Sequence, residues 1–341
     1  MIIKHAYIEI TNCCNLNCCS CYNRSGIPHQ KRELSYADFQ ILHRRLTEEY
    51  SCTRITLSGG EPTLHTEFED ILAFALQNLE TEVAVVTNGT TDNAFLLRQY
   101  REAPNLRLQI SLDGSSEAVN AATRGTGNFT KTASFLQKLT DHSDKKPIVK
   151  MVVSQRNLSD ITSFYEFCVS NNSIPAFNFI NAVGNASDEW DTLALTAKDK
   201  LAVLRRIDAL NKKHSCNAAL PYCTNICPLD NPNGEHSVLI KSDGSVYPCQ
   251  MLYDDNYRLG SLLTGTTDTL TAGFRKIAAI AAARKQTDYS CASCPVNTYC
   301  QKGCMALAVM TAQNPLANDN DCGFRKLQLL GFHVMGRYNK E

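Results

Sequence analysis

The stretch TNCCNLNCCSCYN, residues 11 to 23, carries five cysteines. Three of them, Cys14, Cys18 and Cys21, follow the spacing C-x3-C-x2-C. Thiolates are soft ligands, and three on one short loop can hold three irons of a cubane 4Fe-4S cluster. A fourth cysteine at matching spacing is absent, which leaves one iron open to chelate the amino and carboxylate groups of a small molecule's amino-acid end. The spacing alone also fits a zinc knuckle completed by Cys13, Cys19 or His29, or a set of buried thiols.

Sixteen cysteines in 341 residues, 43% of them hydrophobic, do not read as a disulfide framework, because a core of that size needs no staples. Five lie in 13 to 21, three in 216 to 227, then Cys249, then five from Cys291 to Cys322, while Cys52 and Cys168 stand alone as small buried hydrophobes would. Lysine plus arginine and aspartate plus glutamate both number 34, so no global field favours nucleic acid or an anionic membrane. The start, MIIKHAYIEIT, lacks a secretory signal pattern, and no apolar run is long enough to span a bilayer; the expectation is a cytoplasmic protein.

Such a loop must be positioned by regular elements. Strand-like segments recur at 6–10, 54–57, 83–87, 106–112, 148–153 and 176–180, rich in β-branched residues and short enough for buried parallel strands. Helical patterns alternate with them, among them 35–50, where Ser35 and Asp38 form a capping-box-like start, and 196–214. Six βα units imply an α/β fold, a partial (β/α)6 barrel of the TIM type, with functional loops at the C-terminal strand ends. The opening cysteines follow strand one and so belong at that end. From about residue 215 the rhythm changes to a cysteine-rich region with a hairpin at Asp243 and Gly244 and a helix near 268–285, so the chain divides into 1–214 and 215–341.

Further short motifs fall at successive strand ends. SGGEP (58–62) follows strand two, TNG (87–89) strand three and SLDG (111–114) strand four, with RGTGNF (124–129) beyond. With these in that order, the chain resembles the radical S-adenosylmethionine (radical SAM) enzymes over nearly its whole length. The resemblance implies a cluster on Cys14, Cys18 and Cys21 that binds S-adenosylmethionine at its open iron, with Gly59, Gly60 and Glu61 near the methionine amino group. It also implies Ser111, Asp113 and Arg124 as ribose and carboxylate contacts. Ser20 departs from the family, which often has an aromatic residue before the third cysteine. Reduction of the cluster would cleave the sulfonium and yield a 5'-deoxyadenosyl radical that abstracts hydrogen from an unactivated C–H bond.

The C-terminal cysteines resemble the SPASM domain of peptide and protein maturases, which holds two auxiliary 4Fe-4S clusters. The segment CASCPVNTYCQKGC gives C-x2-C-x5-C-x3-C, and GSVYPC supplies G-x4-C. By that resemblance Cys291, Cys294, Cys300 and Cys322 would ligate one cluster, and Cys223, Cys227, Cys249 and Cys304 the other, with Cys216 an alternative. The implied substrate is a ribosomally made peptide or a protein side chain. Three outcomes are open: a thioether or carbon–carbon cross-link, formylglycine formation as in sulfatase maturases, and epimerisation. The expected partners are an electron donor such as flavodoxin or ferredoxin and a separate leader-binding protein, since the chain starts too close to strand one for a leader-recognition domain. The reading from a different class is a zinc-stabilised binding protein.

Overall fold

The computed structural model describes residues 2–27, 30–141, 143–219, 235–286, 289–297, 300 and 302–334. Six parallel strands alternate with helices: β1 (Ile2–Thr11), β2 (Arg54–Gly59), β3 (Glu82–Thr87), β4 (Leu106–Ser111), β5 (Ile148–Val153) and β6 (Ile174–Phe179). The helices between and after them are α1 (Tyr36–Arg44), α2 (Phe68–Ala75), α3 (Ala94–Glu102), α4 (Glu117–Arg124), α5 (Asn128–Thr140), α6 (Ile161–Ser170), α7 (Trp190–Leu193) and α8 (Ala197–His214). Both expected caps form. The Ser35 hydroxyl accepts from the Asp38 N–H, and Thr196 with Asp199 makes a reciprocal capping box.

The strand starts that differ most from the pattern reading are those of β1 and β6. β1 begins at Ile2 because it is paired on both sides, with β2 and with a later strand. β6 begins at Ile174 and includes Pro175, which an edge strand tolerates since one row of its N–H groups is not needed for pairing.

After α8 come β7 (Glu235–Ile240), β8 (Ser245–Tyr247), β9 (Gly260–Ser261), α9 (Thr267–Gln286), α10 (Tyr289–Ala292), α11 (Met305–Ala312) and α12 (Cys322–Val334). The expected hairpin is β7–β8, and the expected helix near 268–285 is α9. The sheet does not stop at residue 215. β7 pairs parallel to β1, giving one sheet in the order β6-β5-β4-β3-β2-β1-β7-β8-β9.

Alternation along the strands separates two faces. Ile8, Ile55, Leu57, Val83, Val85, Leu108, Ile110, Val149, Met151 and Val153 are buried in the main core. Residues one step out of phase, Tyr7, Ser58, Val86, Gln109, Ser111, Lys150, Val152 and Asn178, instead line a cavity on the inner face. The inner face is polar, so these parallel strands alternate where fully covered ones would read as continuous apolar runs. No helix among the described residues is long and apolar enough to cross a membrane.

Candidate active site

A register shift at Glu9/Thr11 ends the regular pairing of β1, and the cysteine loop begins there. Backbone bonds hold that loop from three directions. The β2 end supplies Glu61 N–H to the Cys13 carbonyl (2.8 Å), and Cys19 N–H donates to the Thr123 carbonyl on α4 (3.0 Å). Asn185 closes the third side, its N–H on the Cys21 carbonyl (2.9 Å) and its Nδ2 on that of Cys18 (2.8 Å). Gly59 and Gly60 permit the first contact. Gly59 has φ +132°, and a Cβ at Gly60 would lie 2.0 Å from the Cys13 carbonyl oxygen.

Held this way, Cys14, Cys18 and Cys21 line one cavity of about 240 Å³ together with Gly59, Gly60, Glu61, Ser111 and Arg124. Cys13 and Cys19 turn away. The Cys13 thiol reaches Asn12 Oδ1 at 3.5 Å, and Cys19 packs with Ile180, Ala186 and Leu193. Burial pushes the Cys14 thiol up to about 11 and the Cys18 thiol up to about 12, the latter against the pull of Arg124. Leu16 N–H donates to Cys14 Sγ (3.4 Å), and Arg124 Nη1 lies 3.9 Å from Cys18 Sγ, so donors already face the sulfurs. Three thiols on one cavity wall, with no fourth among the described lining residues, fit a cluster carrying one open iron.

Glu61 lines the cavity, yet its carboxylate is well supplied with donors. Oε1 accepts from Thr87 Oγ1 (2.6 Å), Thr63 Oγ1 (2.7 Å) and Thr63 N–H (3.3 Å), and Oε2 accepts from Asn88 N–H (2.7 Å). Burial raises its pKa in spite of these bonds. Glu61 therefore ties the β2 and β3 ends and the cysteine loop into one unit.

Asp113 is placed differently from the other expected contacts. It is 0% exposed and lies behind the cavity wall, not on it. Oδ2 forms an ion pair with Arg124 Nε at 2.8 Å and accepts from Thr123 Oγ1 (3.2 Å), and Oδ1 accepts from Val152 N–H (2.8 Å). Although burial disfavours the Arg124 charge, the charges of Asp113 and Cys18 more than reverse this and raise its pKa. Of the three expected contacts, Ser111 and Arg124 face the cavity and Asp113 aims Arg124 from behind it.

Several cavity residues were not read from sequence. Asn88 bridges the loop, its Nδ2 2.9 Å from Asn15 Oδ1. Lys150 reaches Gln109 Oε1 at 3.3 Å, and burial lowers its pKa. Tyr22, which also lines the cavity, donates to Glu9 Oε1 (3.2 Å), and two residues behind the wall support it: Lys241 pairs with Glu9 Oε2 (2.7 Å) and Tyr253 donates to the Tyr22 carbonyl (3.1 Å). The available signal was polar residues at alternate positions of apolar strands: Gln109, Lys150 and Asn178.

The C-terminal region holds a second set of thiols. Cys291, Cys294, Cys300 and Cys322 line one cavity of about 40 Å³. Successive turns fold the loop, with Cys294 N–H on the Cys291 carbonyl (3.0 Å) and Cys300 N–H on that of Val296 (2.9 Å). Cys249 and Cys304 pack against the main core instead, and Cys216 lies beside Tyr165 and Cys168. Cys223 and Cys227 lie outside the described residues. Among the described residues no group of three His, Cys, Asp or Glu side chains converges as a single metal ion requires.

Fold and site together define an enzyme built on an open α/β barrel with three cavity-lining thiols at its C-terminal strand ends. Residues 8–168 match the model of the radical SAM superfamily, and residues 227–295 match SPASM, an iron-sulfur cluster-binding domain. The chain thus carries a radical SAM domain followed by a SPASM domain, and the cofactors that go with them are 4Fe-4S clusters and S-adenosylmethionine. It is 25% identical over 328 residues to mycofactocin maturase MftC of Mycobacterium ulcerans, covering 92% of this chain and 86% of that protein. It is 26% identical over 340 residues to the cysteine-type anaerobic sulfatase-maturating enzyme of Clostridium novyi, covering 89% and 87%. Among solved structures, Streptococcus suis SuiB bound to S-adenosylmethionine has a TM-score of 0.76 at 14% identity, covering 94% of this chain and 76% of that one. SuiB bound to its precursor peptide SuiA gives 0.74 at 15% identity, with the same coverage.

Proposed function

We propose that this enzyme modifies a ribosomally made peptide by abstracting hydrogen from one of its residues, and that the product is a thioether or carbon–carbon cross-link. The observation that carries this reading is the single cavity lined by Cys14, Cys18, Cys21, Arg124 and the polar inner face of β4–β6. When bound there, the cluster and S-adenosylmethionine supply a one-electron cleavage that delivers a carbon radical able to take hydrogen from an unreactive C–H bond. Cys14, Cys18 and Cys21 hold the cluster; Gly59 and Gly60 let the loop close on β2; Arg124, aimed by Asp113, presents positive charge to a carboxylate. Gln109, Lys150 and Asn178 offer hydrogen bonds to a peptide backbone or side chain from the same cavity wall.

We assign residues 1–214 to the catalytic barrel and 215–341 to an auxiliary-cluster region. Cys291, Cys294, Cys300 and Cys322 ligate one auxiliary cluster, and Cys249 and Cys304 contribute with Cys223 and Cys227 to another. The names of the two relatives and of SuiB's bound peptide support a peptide or protein substrate at the level of class.

The test is turnover, after anaerobic reconstitution, of the peptide encoded by any short open reading frame found beside the gene. A peptide product that has lost hydrogen and resists reductive ring opening is expected. A product of unchanged mass that carries solvent deuterium at an α-carbon would overturn cross-linking in favour of epimerisation, since a thiol donor exchanges its hydrogen with heavy water. Cys223→Ala would then keep full iron and lose turnover, whereas a ligand role predicts lost auxiliary iron.

A further inference from the structure

The four-thiol cavity of the C-terminal region has a cationic wall. Arg325 lies three residues after Cys322 on α12, on the same helix face, and lines the cavity while only 2% exposed. Its Nη1 is 2.5 Å from Asp319 Oδ1 and 2.6 Å from Oδ2, and that carboxylate also accepts the Cys304 N–H at 2.7 Å. Gly303, at φ +75°, makes room for the pair. A Cβ there would sit 2.1 Å from both Arg325 Nη1 and Asp319 Oδ2. Arg325 Nε is buried with no hydrogen-bond partner, and the guanidinium lies within interaction range of the Cys300 sulfur. A buried guanidinium left with an unused N–H is costly unless something accepts from it.

We propose that Arg325 is a positioning residue for the auxiliary centre, donating through Nε to the Cys300 sulfur of a bound 4Fe-4S cluster and raising that cluster's reduction potential. The inference rests on the ligand set assigned above. Reduction adds one negative charge to a centre that four thiolates already make anionic, so a fixed cation and a donor at its edge favour the reduced form. Asp319 fixes the fork from the far side and partly offsets its charge. Lys302 is not the donor, since its ammonium is directed at the Arg284 carbonyl, and Lys326 is exposed.

Potentiometric titration of the reconstituted full-length enzyme, followed by electron paramagnetic resonance, tests this on the signal that Cys322→Ala removes. The double variant Arg325→Met/Asp319→Asn leaves no buried carboxylate stranded. Full iron content with at least a tenfold lower reduced-to-oxidised ratio at the wild-type midpoint is expected, about 59 mV for one electron. Asp319→Asn alone keeps the cation without its counter-charge, and its midpoint is expected to move positive. This second arm decides if the double variant fails to bind iron. An unmoved midpoint in the double variant, or a negative or absent shift in Asp319→Asn, would overturn the proposal. If Cys322→Ala removed no signal, the ligand assignment would fall instead.

Discussion

Within the opening motif, neighbouring cysteines have opposite fates because of where their backbone is pinned. Cys18 faces the cavity while Cys19, one residue on, is turned into an apolar cluster by its N–H bond to the Thr123 carbonyl. The spacing C-x3-C-x2-C made that division legible in sequence. The role of Asp113 was not legible, because its partners Thr123, Arg124 and Val152 come from two other elements. Asp113→Asn removes the counter-charge of a buried arginine, and breaking such a pair costs about 3–5 kcal/mol. A clear fall in melting temperature is expected, with at least tenfold weaker S-adenosylmethionine binding by calorimetry on the reconstituted protein. An Asn variant with wild-type affinity would show that Arg124 needs no orienting partner.

At the scale of elements, β1 and β2 carry both the cavity wall and the loop that crosses it. Gly60→Ala would bring a methyl group against the Cys13 carbonyl, backbone that cannot rotate away. We expect near-wild-type circular dichroism with iron at the first site reduced severalfold; full occupancy would mean the loop tolerates displacement. Lower on β1, His5 Nε2 bonds Thr56 Oγ1 at 2.8 Å, and burial, aided by Arg54, lowers its pKa to about 4. A base whose folded-state pKa is depressed binds its proton more tightly when unfolded. Its contribution is intact above about 6.5 and is lost as pH falls from there towards 4. Unfolding free energy should drop across that window, and His5→Asn should reduce the drop by about 2 kcal/mol, allowing for partial exposure. Identical slopes in the two proteins would assign the acid sensitivity elsewhere. The six strands were legible from β-branched runs, whereas the parallel pairing of β7 with β1 was not, because a short strand far along the chain carries no local mark of its partner.

Taken whole, the molecule joins its two cysteine regions at both margins of the open sheet. β7 continues the sheet from β1. At the other margin, α12 meets α8 and β6 through the Lys200–Asp321 ion pair and the edge-to-face rings of Phe179 and Phe324, 5.5 Å apart. The auxiliary thiols are thus anchored to the barrel by packing independent of Cys14, Cys18 and Cys21, so one set of ligands can be removed while the other persists. That separation makes the central claim testable in one measurement: the yield of 5'-deoxyadenosine from reconstituted enzyme, S-adenosylmethionine and dithionite. Wild type and a Cys13→Ala/Cys19→Ala variant are expected to form it, while Cys14→Ala/Cys18→Ala/Cys21→Ala forms none and retains its auxiliary iron. An equal yield from the triple variant would contradict the assignment of these three thiols as the catalytic cluster's ligands.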